Sequence, residues 1–281
     1  MARSLQGKVV VVTGGSRGIG AATVAALAAA GAKVVIGDLD LPANRSQALA
    51  LRLDVTDSAG FTKFLDEVEG KLGPIDVLIN NAGIMPLGAF EEEDDTTTVR
   101  QIEINLHAVI HGTREAVKRM RPRGTGHIVN VSSAAGKAGF PGGVTYCATK
   151  HGVVGLSEAV RQELRGSGIE VSCVMPAIVR TELAAGIKDA RAVRTISPEQ
   201  VANAIVGALK RPKFDVFVPR SVGTMNRVAR LLPRAFGEWL VHMLKGDRVL
   251  VDAAHSAERV AYESRAAASA PAADEAYGFK A

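Results

Sequence analysis

The stretch "YCATK" sets a phenol and an amine four positions apart, Tyr146 and Lys150. On a helix the two share one face. A free phenol ionises near pH 10, too high for a base in neutral water. An ammonium beside it favours the phenolate and lowers that value, which makes the phenol a general acid–base near neutral pH. Taken alone, the same spacing describes any exposed helical pair, so its meaning depends on what the rest of the chain brings to it.

A second stretch with chemistry in it is "TGGSRGIG", residues 13–20, which follows a Val-rich run and opens a helical pattern. Gly14 permits a tight turn. Gly18 and Gly20 remove side chains where backbone must approach a pyrophosphate and where helix must meet strand. The helix N-terminus then offers free N–H groups to the anion. Ser16, Arg17 and Ile19 complete this cradle. Its spacing is one residue longer than the common G-x-G-x-x-G, and its position between a strand and a helix is what gives it weight. Asp38 ends the next Val/Ile run. A carboxylate there accepts hydrogen bonds from ribose hydroxyls and repels a 2′-phosphate. Leu39 follows with no compensating base, so NAD is the expected cofactor. Arg17 keeps NADP as the alternative.

The elements that must position these groups alternate. Strand-like runs fall at 8–13, 33–38, 51–55, 75–81, 126–133, 169–176 and 214–219, with helical patterns near 18–30, 57–72, 95–121, 144–166 and 198–211. Only 42–49 separates the second and third strands. This order predicts an α/β chain with one Rossmann-type doubly wound domain over 1–219: a seven-stranded parallel sheet with helices on both faces. Residues 220–263 read as a C-terminal helical extension. Met225, Val228, Ala229, Leu232, Phe236, Trp239 and Met243 recur in it at helical spacing, and Pro233 splits it. The Ala-rich 264–281 reads as a frayed tail.

With "NNAG" at 80–83, these motifs occur in order and resemble the short-chain dehydrogenase/reductase family over residues 7 to about 219. The resemblance implies hydride transfer between NAD(H) and a secondary alcohol or ketone, with Tyr146 as acid–base and Lys150 also gripping the nicotinamide ribose. It implies that Ser133, which precedes Tyr146 at the family spacing, bonds the substrate oxygen. Strand alternation points its neighbour Ser132 the other way. Asn105 matches a helix asparagine that holds a water in a proton relay; its plain alternative is helix-interior packing. By position, Asp54 and Val55 form the adenine edge, Asn81, Ala82 and Gly83 line the adenosine side, and Pro176, Val179 and Thr181 lie near the carboxamide. Ala177 stands where the family usually has glycine. Family habit also implies a homo-oligomer, a dimer or tetramer built through the two long helices.

The substrate is expected to be uncharged and apolar, since "AAGKAGFPGGVT" and the loop after Thr181 are small and mixed. The "RVARLLPRAFGEWL" run resembles the tail of retinol and hydroxysteroid dehydrogenases, which points to a steroid-, retinoid- or lipid-like alcohol. Its arginines suit an anionic membrane surface, but packing on the chain itself or on a sister subunit is the preferred reading. Two other classes stand as alternatives. One is a catalytically silent dinucleotide binder, against which the complete Ser133, Tyr146 and Lys150 set argues. The other is a sugar-nucleotide epimerase, for which the C-terminal part is too small. The net charge of +5 is not clustered, so no nucleic acid is expected. His107 and His111 lack a third ligand, so no metal is expected. The N-terminal run enters a strand at once, and no stretch of about 18 residues is apolar and uncharged. A cytoplasmic address follows from that reading.

Overall fold

A computed structural model describes residues 2–42, 48–187, 195–229, 231–233 and 249–278. Its centre is a seven-stranded parallel sheet in the order β3-β2-β1-β4-β5-β6-β7. The strands are β1 (Val9–Thr13), β2 (Lys33–Asp38), β3 (Leu49–Arg52), β4 (Val77–Asn80), β5 (Gly126–Val131), β6 (Ile169–Pro176) and β7 (Asp215–Val218). The order reverses between β1 and β4, where a doubly wound sheet opens a crevice beyond its strand ends.

The Val-rich strands are buried on both faces because helices cover both. Val10 and Val12 of β1 point toward α1 (Gly18–Ala29) and α6 (Pro198–Lys210), in one cluster with Leu27, Val201 and Ile205. Val9 and Val11 point the other way, toward Phe61, Phe64 and Leu65 of α2 (Ser58–Leu72) and toward Ala108, Ala116 and Met120 of α4 (Ala108–Met120). Truncating a fully buried side chain such as Leu27 or Leu65 would destabilise the fold by about 2–5 kcal/mol. Helix starts follow local chemistry. Asp57 accepts the Gly60 N–H at 2.9 Å, and Asp94 accepts that of Thr97 at 2.6 Å at the start of α3 (Asp95–Ile102). Thus the acidic run 91–95 supplies a helix cap.

The helix expected over 95–121 runs unbroken through a π-helical turn, Glu103–His107, between α3 and α4. One expectation needs correction. The described part of the tail expected to fray, 264–278, is largely helical and packed. Val260–Ala267 and Pro271–Tyr277 are helices, with Ala266, Ala270 and Ala273 buried against the α2/α4 side of the sheet. Asp274 accepts two hydrogen bonds from Arg100 Nη2, both 2.8 Å. Small alanine side chains let these helices approach closely, so the composition read as disorder is a packing surface. Of the apolar stripe, Phe236, Trp239 and Met243 lie outside the described residues, as does most of 42–49. Met225, Val228 and Leu232 of the stripe, at and beyond α7 (Arg220–Ala229), are exposed rather than packed on the core. They line the rim of a cavity at the carboxyl end of the sheet.

Candidate active site

The carboxyl ends of β1 to β6 converge on that cavity, with residues of α1, α5 (Val144–Glu163) and α7. α5 carries Tyr146 and Lys150 on its inner face, both buried. β5 ends one residue before Ser132. The Ser132 hydroxyl turns into the protein and donates to the Lys150 carbonyl at 2.8 Å. Ser133 points the other way, accepts the Ala135 N–H at 3.1 Å and hydrogen-bonds the Tyr146 phenol. Strand alternation thus separates the two serines as expected.

The electrostatics differ from the sequence expectation. Burial pushes the Tyr146 phenol up to about 12, with the Ser133 hydrogen bond acting in the opposite direction. Burial likewise pushes Lys150 down to about 8. The reason is geometric. Lys150 Nζ donates to the Val131 carbonyl at 3.1 Å and lies 5.7 Å from the centre of the Tyr146 ring. In this arrangement its charge is spent on the end of β5, and desolvation dominates the phenol.

Asn105 sits in the π-helical turn, fully buried. Its Oδ1 accepts the Ile84 N–H and its Nδ2 donates to the Ile84 carbonyl, both at 2.8 Å. The side chain thus clamps the peptide that follows Gly83. A Cβ on Gly83 would lie 3.1 Å from Asn105 Oδ1 and 3.5 Å from Lys150 Nζ, so glycine lets all three approach.

At the other end of the cavity lies the glycine cradle. Gly14 and Gly18 have φ of 63° and 53°. A Cβ on Gly20 would overlap the Gly14 carbonyl oxygen. Thr13 Oγ1 accepts the N–H groups of Asn81 (3.0 Å) and Ala82 (3.1 Å), while Asn81 Nδ2 donates to the carbonyls of Thr13 and Gly14, both at 3.0 Å. These bonds tie the ends of β1 and β4 across the switch point. Asp38 Oδ2 accepts the Ser16 N–H at 3.0 Å, and Oδ1 accepts that of Asp40 at 3.2 Å. Arg17 pairs with Asp40 at 3.1 Å. Thr181 reaches over Gly18, and its hydroxyl donates to the Val179 carbonyl at 3.3 Å. Pro176, Val179, Thr181 and Val55 line the same cavity.

Asp54 does not line it. Its Oδ1 accepts from the Thr56 N–H (2.9 Å) and hydroxyl (2.7 Å), and its Oδ2 accepts the Ala272 N–H at 3.1 Å. The carboxylate assigned to the adenine edge is thus engaged by the C-terminal segment. His107 lies 2.8 Å from Glu103, and His111 lies 3.3 Å from Thr62.

The cradle fits a nicotinamide dinucleotide. α1 starts without a side-chain cap, so its first N–H groups can meet a diphosphate. Ser16 Oγ is buried there with no protein partner. The cavity measures about 1340 Å3, beyond the roughly 300–1,000 Å3 of single-ligand sites, which leaves room for a second molecule beside Tyr146.

A profile of the family described as short chain dehydrogenase matches residues 8–192. The chain belongs to the short chain dehydrogenase family. As a short chain dehydrogenase it is an oxidoreductase that acts on hydroxyl groups and uses a nicotinamide dinucleotide. It is similar to a 3-alpha-(or 20-beta)-hydroxysteroid dehydrogenase of Mycobacterium tuberculosis, 37% identical over 217 residues, covering 73% of this chain and 84% of that one. A 2,5-dichloro-2,5-cyclohexadiene-1,4-diol dehydrogenase of Sphingobium indicum is 36% identical over 66% of this short chain dehydrogenase and 79% of its own length. A trans-4-hydroxycyclohexanecarboxylate dehydrogenase of Sinomonas cyclohexanicum is 38% identical over 64% and 76%. The fold is shared with a solved short chain dehydrogenase/reductase from Burkholderia phymatum in complex with NAD, at a TM-score of 0.73 and 24% identity, covering 81% of this chain and 94% of that one. Among the described residues of this short chain dehydrogenase, no helix is long and apolar enough to cross a membrane.

Sequence reasoning missed Tyr262 and Arg259, which reach this site from the far end of the chain. Nothing in "AERVAYESR" separates them from a solvated helix.

Proposed function

We propose that the protein oxidises or reduces a cyclic, apolar secondary alcohol/ketone pair with NAD(H). The observation that carries this reading is Tyr146: its phenol is buried, hydrogen-bonded to Ser133, and faces a cavity continuous with the glycine cradle. A dinucleotide held by that cradle supplies the hydride acceptor or donor. The residues that would hold it are Gly14, Ser16, Gly18, Ile19 and Gly20 at the diphosphate, Asp38 at the ribose, and Asn81 to Gly83 beside it.

The chain's own groups handle the proton. Ser133 donates to the substrate oxygen. Tyr146 takes the hydroxyl proton in oxidation and returns it in reduction. Lys150, charged below about 8, favours the phenolate whenever its ammonium leaves the Val131 carbonyl for the tyrosine side of the pocket. Asn105 holds the Ile84 peptide beside that pocket.

Two further observations support the finer points. Arg17, the group that would welcome a 2′-phosphate, is paired with Asp40, and Asp38 stands at the ribose position with its carboxylate on the Ser16 N–H. This favours NAD over NADP. Among the described residues, the substrate end includes Phe140, Leu183, Ile187, Met225, Val228 and Leu250, an apolar surface suited to an uncharged ring. The names of the relatives point to cyclic alcohols, which suits such a surface.

The test is NADH formation across cyclohexanols, hydroxysteroids, retinol and linear secondary alcohols, with wild type and Tyr146→Phe. Wild-type turnover reduced by about 10²–10⁴-fold in the variant is expected. Equal background in both proteins across the panel would leave only a dinucleotide binder.

A further inference from the structure

We propose that Arg259 and Tyr262 are positioning residues for hydride transfer, holding in register the two loops that flank Tyr146. The inference rests on the function proposed above and adds to it a part of the site supplied from the C-terminal segment.

Arg259 is 1% exposed, the largest of the fully buried side chains. A buried guanidinium has five N–H donors to satisfy, and here it makes four hydrogen bonds and an ion pair. Nε donates to Glu263 Oε1 at 2.9 Å, and Nη2 reaches the same oxygen at 2.8 Å. Nη1 donates to the carbonyls of Leu183 (3.1 Å) and Ala185 (3.0 Å). Nη2 also donates to the Met85 carbonyl at 2.6 Å. Glu263 balances the charge, and the guanidinium stacks 4.9 Å from the centre of the Tyr262 ring. Tyr262 Oη in turn accepts the Met85 N–H at 2.7 Å. Met85 is therefore gripped at both polar ends of its backbone by one helical segment.

The gripped residues are not incidental ones. Met85 packs against Tyr146 in one buried cluster, and Leu183 packs on that cluster from the other loop. The Met85 loop leaves β4 directly after Asn81 to Gly83. The Leu183–Ala185 turn leaves β6 directly after Thr181. These loops meet over the reacting end of the cavity, and neither is joined to the other by a strand ladder. Arg259 is the common donor to both. A planar five-donor fork can bridge three carbonyls from two loops, whereas a lysine presents three donors from a single atom. Tyr262 does not compete with Tyr146 as an acid–base, because its hydroxyl oxygen is engaged by the Met85 N–H.

Arg259→Lys and Tyr262→Phe test this. The phenylalanine variant keeps the ring and removes only the acceptor for Met85 N–H, so it carries the test if the lysine variant fails to fold. Three readouts are compared with wild type: steady-state kinetics with the best alcohol of the panel, NADH binding by fluorescence titration, and amide hydrogen exchange at 83–86 and 182–187. Loosened loops should exchange at least about tenfold faster at those amides. Turnover should fall about 10–100-fold, mainly in kcat, because misplaced loops spoil the reacting geometry rather than dinucleotide affinity. The pH profile should keep its shape, since no titrating group of the reaction is removed. Unchanged exchange in a folded variant overturns the proposal, and so does faster exchange with unchanged kcat. Wild type that turns over no alcohol sinks the proposed function, and the positioning role with it. Wild type that turns over as well as both variants sinks the positioning role alone.

Discussion

Lys150 is expected to be harmful to stability and necessary for turnover, and Lys150→Met separates the two effects. The side chain is 4% exposed, and burial pushes its ammonium from 10.5 down to about 8. At about 1.4 kcal/mol per pH unit, holding it charged in the fold at pH 7 costs on the order of 3 kcal/mol. Methionine keeps most of the apolar stem and removes the charge. It also leaves the Val131 carbonyl without its 3.1 Å donor, a loss of about 1–3 kcal/mol for a buried acceptor. The net expectation at pH 7 is a protein more stable by about 1–2 kcal/mol, a rise in Tm of about 2–8 °C. The sign then depends on pH. Between about 8 and 10.5 the unfolded chain binds the lysine proton and the folded chain does not, so wild-type stability rises with pH across that window. The advantage of methionine should therefore shrink by roughly 2–3 kcal/mol between pH 7 and pH 10. Tyr146 titrates in both proteins and cancels in the difference. Urea denaturation of both proteins at pH 7 and 10, with turnover alongside, is the assay. Turnover should fall by about 10²-fold or more at both pH values. A variant less stable than wild type at pH 7, or a stability difference independent of pH, refutes the claim that burial of the charge governs this site.

Other perturbations bear on the same architecture. Gly20→Ala places a Cβ on the Gly14 carbonyl and close to Asn81 Nδ2; NADH binding by fluorescence titration should be lost, and binding near wild-type affinity would show that the cradle is not the diphosphate site. Asp38→Asn keeps an acceptor for the Ser16 N–H and removes the charge, so the preference for NAD over NADP in kcat/KM should narrow by about tenfold or more; an unchanged ratio would move cofactor choice elsewhere. His127 lies buried with Nε2 2.8 Å from Ser172 Oγ, and burial pushes it down to about 4. Its folded value lies below its unfolded one of 6.5, so the stability it contributes is present above pH 6.5 and is lost as pH falls toward 4, by at most about 3 kcal/mol. His127→Gln should flatten that limb in urea midpoints measured at pH 7, 5 and 4, and an equally steep acid limb in the variant would exclude His127 as its source.

Much of this protein is written in short-range pattern. The Val/Ile runs announce strands covered on both faces, the glycines of 13–20 announce a turn that admits an anion, and the Tyr146/Lys150 spacing puts two groups on one helical face. Each of these depends on the periodicity of a single element or on the steric size of a few neighbours, so residue types and spacing suffice. Tertiary structure alone decided how those groups are charged and what surrounds them. The ammonium expected beside the phenol is held by Val131, and the phenol rises rather than falls, because desolvation depends on everything packed around a group. The Asp54 carboxylate is taken up by Ala272, and Asn105 is spent on Ile84, because an unpaired buried donor bonds whichever acceptor the fold brings near. Arg259 and Tyr262 lie more than 170 residues from Met85 in sequence, in a segment that reads only as a C-terminal helical extension. Only the packing of that extension against the carboxyl end of the sheet makes them part of the site.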